Sequence, residues 1–201
     1  MSRSKEAFSA TPTGENQLSV GLGGDIPIFP PLLIFLCVTT GFLLKALLPE
    51  APMLPKALQS LKFRVAFFAF CIAFVFSAIN ATEEELKKRG HGVNFAPIPE
   101  ETGLGTDGPF RFSRNPIYAV GVMFLFPALC VLSNSMYLLL SLLPVPIYLH
   151  YVVIPAEEAL LGRLFGQAYV DYCAAVPRWG TFWFWFLGAV MKMDIVDLRQ
   201  R

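Results

Sequence analysis

The sequence has few charged residues, and this shortage restricts what the protein can be. Asp, Glu, Lys and Arg make up only 15% of the 201 residues, whereas 55% are hydrophobic and the mean hydropathy is +0.54. Soluble domains carry about a quarter charged residues. The composition therefore favours a membrane as the solvent and argues against an ordinary soluble domain.

The charge balance and the cysteine and histidine content exclude further classes of protein. The formal net charge is only +1, so we expect no basic field for nucleic acid and no nucleic-acid partner. The four cysteines show no CxxC spacing, which argues against a zinc site and against a disulfide framework. The two histidines, His91 and His150, are too few for a metal site on their own, and we expect no bound metal.

Four apolar runs approach the roughly 20 residues that a helix needs to cross the hydrocarbon layer. They cover residues 26–49, 63–81, 116–132 and 136–154. Only Ser-Asn-Ser separates the third run from the fourth, which predicts a tight helical hairpin. Pro144 and Pro146 should interrupt the fourth run. The sequence thus predicts an all-α membrane protein with about four transmembrane helices.

The remaining segments complete this predicted architecture. Residues 1–25 are rich in Ser, Thr, Gly and charge, and we expect a flexible cytoplasmic tail. An amphipathic cytoplasmic helix of about 18 residues should begin at Pro155, because proline is favoured in a first helical turn. The aromatic segment after Trp179 is short for a span and is typical of an interfacial or re-entrant segment. The predicted divisions are the tail 1–25, two transmembrane helices in 26–82, and a core in 83–201.

The distribution of Lys and Arg predicts the orientation in the membrane. Four spans place both termini and the polar segment 83–114 on one side, which carries Arg3, Lys5, Lys87, Lys88, Arg89, Arg111, Arg114, Arg163 and Arg178. The other side carries Lys45, Lys56, Lys62 and Arg64. Since cytoplasmic loops carry an excess of Lys and Arg, we expect the termini and the polar segment in the cytoplasm. The minimal organisation suggests a bacterial inner membrane, although an endoplasmic reticulum location is compatible with it.

One candidate binding site lies where the third run begins, in the stretch GPFRFSRNPIY. Asn115 is a favoured helix N-cap, and Pro116 is a favoured first helical residue. The backbone N–H groups of Ile117 and Tyr118 would then face the cytoplasmic interface, where the helix dipole attracts a carboxylate or phosphate. The alternative is that the two neighbouring arginines only anchor the helix to lipid phosphates.

A second candidate site is the Glu157-Glu158 pair in the predicted amphipathic helix. On a helix Glu158 shares one face with a glycine and three aromatic residues, namely Gly162, Phe165, Tyr169 and Tyr172. Carboxylates and aromatic faces together suit a cationic ligand. S-adenosylmethionine carries a sulfonium, an amine, a ribose diol and a carboxylate, so it is one ligand that fits. The alternative is that the two glutamates only stabilise a first helical turn through the dipole.

The two stretches together resemble a known family. GPFRFSRNPIY, followed later by IPAEEALLGRLFGQAYVDYCAAVPRW, is similar to the paired signature of integral-membrane methyltransferases. That group contains isoprenylcysteine carboxyl methyltransferases and phospholipid methyltransferases. The resemblance covers residues 102–179. It implies that the core in 83–201 is a methyltransferase that uses S-adenosylmethionine and modifies a lipid or lipophilic small molecule.

The resemblance also implies the residues of the cofactor site. Matched residue by residue, the family's cofactor contacts fall on Thr102, Gly103, Leu104, Gly105, Phe110, Asn115, Pro116, Ile117, Tyr118 and Glu157. The family commonly has His at the position of Asn115 and Tyr at the position of Phe110. The prenylcysteine enzymes carry an arginine where this chain has Val153. This last departure removes a cation that would recognise a prenylcysteine carboxylate, so the acceptor stays open.

Methyl transfer depends on positioning more than on acid–base chemistry. An ionised carboxylate or thiolate acceptor needs no base, whereas an amine must lose a proton, which His150, Glu158 or a water could accept. His150 and Glu158, with Arg114 at the membrane edge, are the candidate catalytic residues.

Two alternative functions stay open. One is an NADPH-dependent membrane reductase related to sterol reductases. Those reductases share an R-x-P-x-Y entrance motif with this sequence but lack its glutamate pair. The other alternative is a non-catalytic membrane protein of the same fold.

Overall fold

The computed structural model describes residues 26–89 and 103–180, and every regular element within these ranges is helical. Four helical spans there are long and apolar enough to cross a membrane: Pro30–Leu47, Leu61–Lys88, Pro116–Ser133 and Met136–Phe165. Large apolar side chains such as Phe35 and Leu61 are exposed on their outer surfaces, where lipid can cover them. The predicted all-α membrane fold is therefore confirmed. The predicted N-terminal tail and C-terminal aromatic segment lie outside the described residues.

The first two spans are unbroken helices, α1 (Pro30–Leu47) and α2 (Leu61–Lys88), joined by a segment with one 3₁₀ turn at Lys56–Leu58. Helix α2 extends beyond the predicted end at residue 81 through the sequence TEEELKK. Glu and Lys are good helix formers, and pairs spaced by four residues stabilise the extra turns. The Lys87 Nζ–Glu83 Oε2 and Arg89 Nε–Glu85 Oε1 distances are both 3.5 Å. The polar segment that was expected from residue 83 is therefore helical as far as Lys88.

The third span consists of α3 (Pro116–Val120), a π-helical turn at Gly121–Leu125, and α4 (Phe126–Ser133). Pro127 has no N–H to donate to the preceding turn, and its ring would crowd the carbonyl group four residues earlier. The wider π turn just before it provides the space that a regular helix lacks. Asn134 then ends α4 with a left-handed φ of 51°, a conformation that asparagine tolerates well.

The fourth span contains α5 (Met136–Leu142), α6 (Pro144–Tyr148), a second π-helical turn at Leu149–Val153, and α7 (Ile154–Phe165). The interruption predicted at Pro144 is present, because α5 ends at Leu142. The predicted helix start at Pro155 is wrong, since α7 continues the span without a break. As at Pro127, a π turn precedes the proline and accommodates its ring.

The predicted amphipathic helix is also divided in two. Helix α7 ends at Gly166, and a new helix, α8 (Gln167–Ala175), begins immediately afterwards. Gly166 has a φ of 53° and a ψ of −129°, a conformation that side chains other than glycine rarely adopt. The residues predicted to share one face of a single helix therefore lie on two helices.

The third and fourth spans form the centre of the bundle, with α1 packed against α5 and α2 packed against α3 and α4. The largest buried cluster includes Cys37, Phe126, Leu138, Val145 and Val153. Gly41 of α1 permits the close approach to α5. A Cβ atom at Gly41 would lie 2.5 Å from Ser141 Oγ and 2.8 Å from the Leu138 Cα, and both distances are too short for carbon.

Replacing Gly41 by alanine is therefore expected to destabilise the bundle. The added methyl group must push α1 away from α5, which costs about 1–3 kcal/mol as in other overpacked cores. Thermal unfolding of the protein in detergent micelles measures this loss.

A matched control is Gly121→Ala, which also replaces a helical glycine. A Cβ at Gly121 meets nothing within 4 Å, and its φ is −59°, so alanine should leave stability unchanged or raise it by up to about 1 kcal/mol. Equal unfolding temperatures for both variants would contradict the packing argument.

Candidate active site

The turn at Gly166 brings α8 back to the segment that precedes the third span. Tyr169 and Tyr172 of α8 are buried in a cluster with Leu104 and Phe110, and the Tyr172 hydroxyl donates a 2.7 Å hydrogen bond to the Phe110 carbonyl oxygen. Burial raises the pKa of Tyr172 above its usual range, so this hydroxyl keeps the proton that it donates. The residues after α8 are thereby placed beside the start of α3.

Asn115 occupies the predicted N-cap position, but its side chain does not cap α3. Its Nδ2 donates to the Arg178 carbonyl oxygen at 3.1 Å, and Ser113 Oγ donates to the same oxygen at 3.0 Å. The predicted side-chain cap is thus wrong, because the amide is used to fix the segment after α8. Pro116 does occupy the first turn of α3, as predicted.

Glu158 is held by two arginines. Arg178 contacts both carboxylate oxygens, with Nε 3.0 Å from Oε1 and an NH2 group 2.5 Å from Oε2. Arg114 NH1 lies 3.2 Å from Oε1. The side chains of Glu158 and Arg114 are only 17% and 15% exposed, so solvent screens these contacts weakly. The hydrogen bonds with Glu158 raise the pKa of Arg178, and the carboxylate is neutralised within the protein.

Glu157, the neighbouring residue, has a different environment. Its Oε1 accepts a 2.5 Å hydrogen bond from the Tyr118 hydroxyl, which joins α7 to α3. In the part of the chain that the structure describes, no cation lies within 4.0 Å of its carboxylate. Glu157 is therefore a half-buried carboxyl group that pairs with none of the described cations.

Arg114 precedes the start of the third span, and one of its side-chain donors has no acceptor among the described residues. Its NH1 also donates to Cys173 Sγ at 2.6 Å, whereas its Nε is buried and has no hydrogen-bond partner among the described residues. A buried donor without an acceptor costs about 1–3 kcal/mol. Such a donor is the kind of group that a bound anion satisfies.

His150 lies on the π turn of the fourth span and contacts Trp179. Trp179 Nε1 donates a 2.9 Å hydrogen bond to His150 Nδ1, and the two rings are nearly parallel at 6.1 Å. Indole nitrogen can only donate, so Nδ1 must accept and a neutral His150 carries its proton on Nε2. The backbone carbonyl of His150 accepts from Arg178 NH1 at 3.3 Å, which ties this residue to the Glu158 cluster.

The segment from Gly103 to Phe110 is fixed to the end of α2. Arg89 NH1 donates to the Leu104 carbonyl oxygen at 2.8 Å, and the same guanidinium forms an ion pair with Asp107. Phe110 packs beside Gly105. Among the described residues, no hydrogen bond or ion pair joins this segment to Glu157. Thr102, the first residue of the predicted cofactor segment, lies outside the described residues.

An apolar cavity adjoins the start of α3. Its walls include Pro116, Ala119, Val120 and Met123 on one side and Trp179 on the other. Nearly all of its lining atoms are apolar, and it lies at the end of the bundle that carries Glu157 and Glu158. Its volume is about 20 Å³, so it is a small apolar recess beside the polar cluster.

The structure brings several predicted residues together. Tyr118 meets Glu157, and Arg114 meets Glu158. Val153, where the prenylcysteine enzymes have arginine, is fully buried in the apolar core. The described residues include no group of three or more His, Cys, Asp and Glu side chains that could hold a metal ion.

Arg178, Trp179 and Ser113 were not predicted as site residues. The only sequence signal for Arg178 was its place at the end of the quoted VPR motif. Its carboxylate partner, Glu158, stands 20 positions earlier on α7, whereas Arg178 follows the end of α8, so no helical spacing could indicate the contact.

The comparisons with known proteins give one match. A family model described as phospholipid methyltransferase matches residues 61–168, which is more than half of the chain. Among curated proteins and among solved structures, none matches the chain. The matched residues include α2, both spans of the hairpin, and the Tyr118 and Glu157 contact.

Replacing Arg178 by glutamine is expected to destabilise the protein by roughly 1–3 kcal/mol, because Glu158 keeps its burial and loses its bidentate partner. Thermal unfolding in detergent measures the change. Arg111→Gln is the matched control. The Arg111–Asp107 contact is 3.5 Å long, and the two side chains are 45% and 47% exposed. Such an exposed pair contributes about 0–1 kcal/mol to the free energy of unfolding. Equal destabilisation by the two substitutions would show that the contact with Glu158 does not stabilise the fold.

Proposed function

The chain belongs to the phospholipid methyltransferase family, and we propose that it transfers a methyl group from S-adenosylmethionine to a lipid or lipophilic small molecule. Family membership makes it a membrane methyltransferase; the cofactor, the acceptor and the site residues are the proposed part. The observation that carries the proposal is the contrast between Glu158, which two arginines neutralise, and Glu157, which no described cation neutralises.

The residues present fit this cofactor. An unneutralised, half-buried carboxylate favours a cationic ligand, and S-adenosylmethionine carries both an ammonium and a sulfonium. The Tyr118 hydroxyl fixes Glu157 by its 2.5 Å hydrogen bond. The cofactor also carries a carboxylate, for which the buried Nε of Arg114 is an available donor.

The proposed cofactor site therefore consists of Glu157 and the start of the third span. Its members there are Asn115, Pro116, Ile117 and Tyr118. We propose the segment held by Arg89 as the second wall, with Gly103, Leu104, Gly105 and Phe110; Thr102, which the family resemblance adds, lies outside the described residues. We place this end of the bundle at the cytoplasmic face, because it carries the larger share of Lys and Arg.

When bound, S-adenosylmethionine supplies an electrophilic methyl group on a positively charged sulfur. The protein's part is to hold donor and acceptor in line and to exclude water. Transfer removes the charge on sulfur, so a dry site favours it. The apolar lining of the recess beside α3 provides such surroundings.

The two side chains that the sequence offered as proton acceptors are both engaged. Nδ1 of His150 accepts from Trp179, so the neutral ring carries its proton on Nε2 and its one basic lone pair, on Nδ1, is engaged by the indole. Glu158 is paired with two arginines. Because both side chains already have partners, a methyl acceptor that is already ionised is favoured. A carboxylate or a thiolate is such an acceptor, and it loses no proton on methylation.

Binding of S-adenosylmethionine to the detergent-solubilised protein, measured by calorimetry, tests the central proposal. Glu157→Gln keeps the acceptor for Tyr118 but removes the charge, and it should weaken binding by about 10–100-fold. Glu83→Gln makes the same chemical change on α2, where Glu83 pairs with Lys87, and should leave binding unchanged.

Absence of binding by the wild-type protein would refute the proposed cofactor. Protection of the protein by reduced nicotinamide adenine dinucleotide phosphate, and not by S-adenosylmethionine, would support the reductase alternative.

Transfer of a labelled methyl group to an extracted lipid pool tests the role of His150. His150→Asn places an amide oxygen near the Nδ1 position, so it can still accept from Trp179 but cannot accept a proton. If His150 only positions its neighbours, the variant should keep activity within about threefold of the wild type. Loss of a catalytic base costs about 100-fold or more, and a loss of that size would show that His150 takes a proton.

A further inference from the structure

A polar cavity lies at the opposite end of the bundle from Glu157. It has a volume of about 290 Å³, and its walls include Lys45, Glu50, Arg64, Ser133 and Asn134. Helix α1 ends beside it, α2 begins beside it, and α4 and α5 join at its edge. Because all four spans end at this level, the cavity lies at the boundary of the hydrocarbon layer, where lipid headgroups are found.

The walls of this cavity are fixed by hydrogen bonds. The backbone N–H of Leu54 donates to Asn134 Oδ1 at 2.8 Å. Glu50 Oε1 accepts from Ser135 Oγ and from the backbone N–H of Tyr137, both at 2.9 Å. The segment between α1 and α2 is thereby held against the turn between α4 and α5. Two of these hydrogen bonds use backbone N–H groups, so the backbone as well as the side chains fixes the shape of the cavity.

The two cations of the cavity are bound only to neutral groups. Lys45 Nζ donates to the Ser133 carbonyl oxygen, and Arg64 NH1 donates to the Leu132 carbonyl oxygen at 2.8 Å. Within 26–89 and 103–180, no carboxylate lies within 4.0 Å of either charged group. The Arg64 Nε is buried and has no hydrogen-bond partner there.

The single carboxylate of the cavity does not cancel this charge. Burial acts to raise the pKa of Glu50, but the hydrogen bonds from Tyr137 and Ser135 and the charge of Lys45 together lower it below its usual value. Glu50 is therefore ionised and engaged with α5. With two cations and one anion, the cavity keeps a net positive charge, and the first turn of α2 adds no acidic residue.

We propose that this cavity binds the phosphate group of a membrane phospholipid, with Lys45 and Arg64 as the cationic contacts. A free phosphate ion offers the same charge and the same acceptor oxygens. The surroundings favour the lipid, because the apolar side chains of Leu47 and Leu61 beside the cavity are 69% and 63% exposed and acyl chains can cover them. The bound lipid would fasten α1 and α2 to the turn between α4 and α5, far from the methyl-transfer site.

Ligand binding by the full chain in a neutral detergent tests this proposal. The three probes are dioctanoyl phosphatidylglycerol, dioctanoylglycerol with the same chains and no phosphate, and inorganic phosphate, with dissociation constants measured by native mass spectrometry or calorimetry. The wild-type protein should bind the phospholipid about tenfold or more tightly than dioctanoylglycerol. The Lys45→Gln, Arg64→Gln double variant should lose this preference.

The matched control is the Lys56→Gln, Lys62→Gln double variant, which removes two cations from the same end of the bundle but outside the cavity, and it should keep the preference. Equal binding of phospholipid and dioctanoylglycerol by the wild-type protein would overturn the proposal, and this comparison needs no variant to fold. A preference retained by the Lys45→Gln, Arg64→Gln variant would also overturn it. Inorganic phosphate bound as tightly as the phospholipid would overturn the lipid as the ligand. None of these outcomes depends on S-adenosylmethionine binding.

Discussion

The contact of Arg178 with Glu158 stabilises the end of the bundle that contains Glu157 and the start of the third span. It joins the residues after α8 to α7, and Arg114 adds the start of the third span to the same carboxylate. The backbone carbonyl of Arg178 accepts from Ser113 and Asn115, while its side chain reaches the carbonyl of His150. Charges that are this shielded from water are tolerated only when they are paired and hydrogen-bonded. The positions of Asn115, His150 and Trp179 therefore follow from one neutralised carboxylate.

Two adjacent glutamates have different roles because a helix points neighbouring side chains about 100° apart. Glu158 turns to the two arginines and is used for structure. Glu157 turns to Tyr118 and has no described cation beside it. The same short segment therefore contains one glutamate that is fully paired and one that is not.

The cationic side chains at the two ends of the bundle have different partners. At the end that carries Glu157, Arg114 and Arg178 contact Glu158, and Arg89 contacts Glu85 and Asp107. At the other end, Lys45 and Arg64 contact only carbonyl oxygens at the end of α4. Carbonyl dipoles orient a cation but leave its formal charge in place. The charges of these three arginines are therefore neutralised by carboxylates, whereas the charges of Lys45 and Arg64 are not.

The sequence alone was enough to predict the membrane fold, because crossing a bilayer depends on the length and hydropathy of each run, and both are local properties. It also indicated the family, through motifs that contain Tyr118, Glu157 and Glu158. Two helix boundaries were predicted wrongly, because contacts with neighbouring residues set them. Charge pairs extend α2 beyond residue 81, and a π turn lets the fourth span continue through Pro155. Only the tertiary structure decided which glutamate is neutralised and that Asn115 binds Arg178 instead of capping α3. Those contacts depend on the turn at Gly166, which brings together residues far apart in sequence, and helical periodicity carries no information about such pairs.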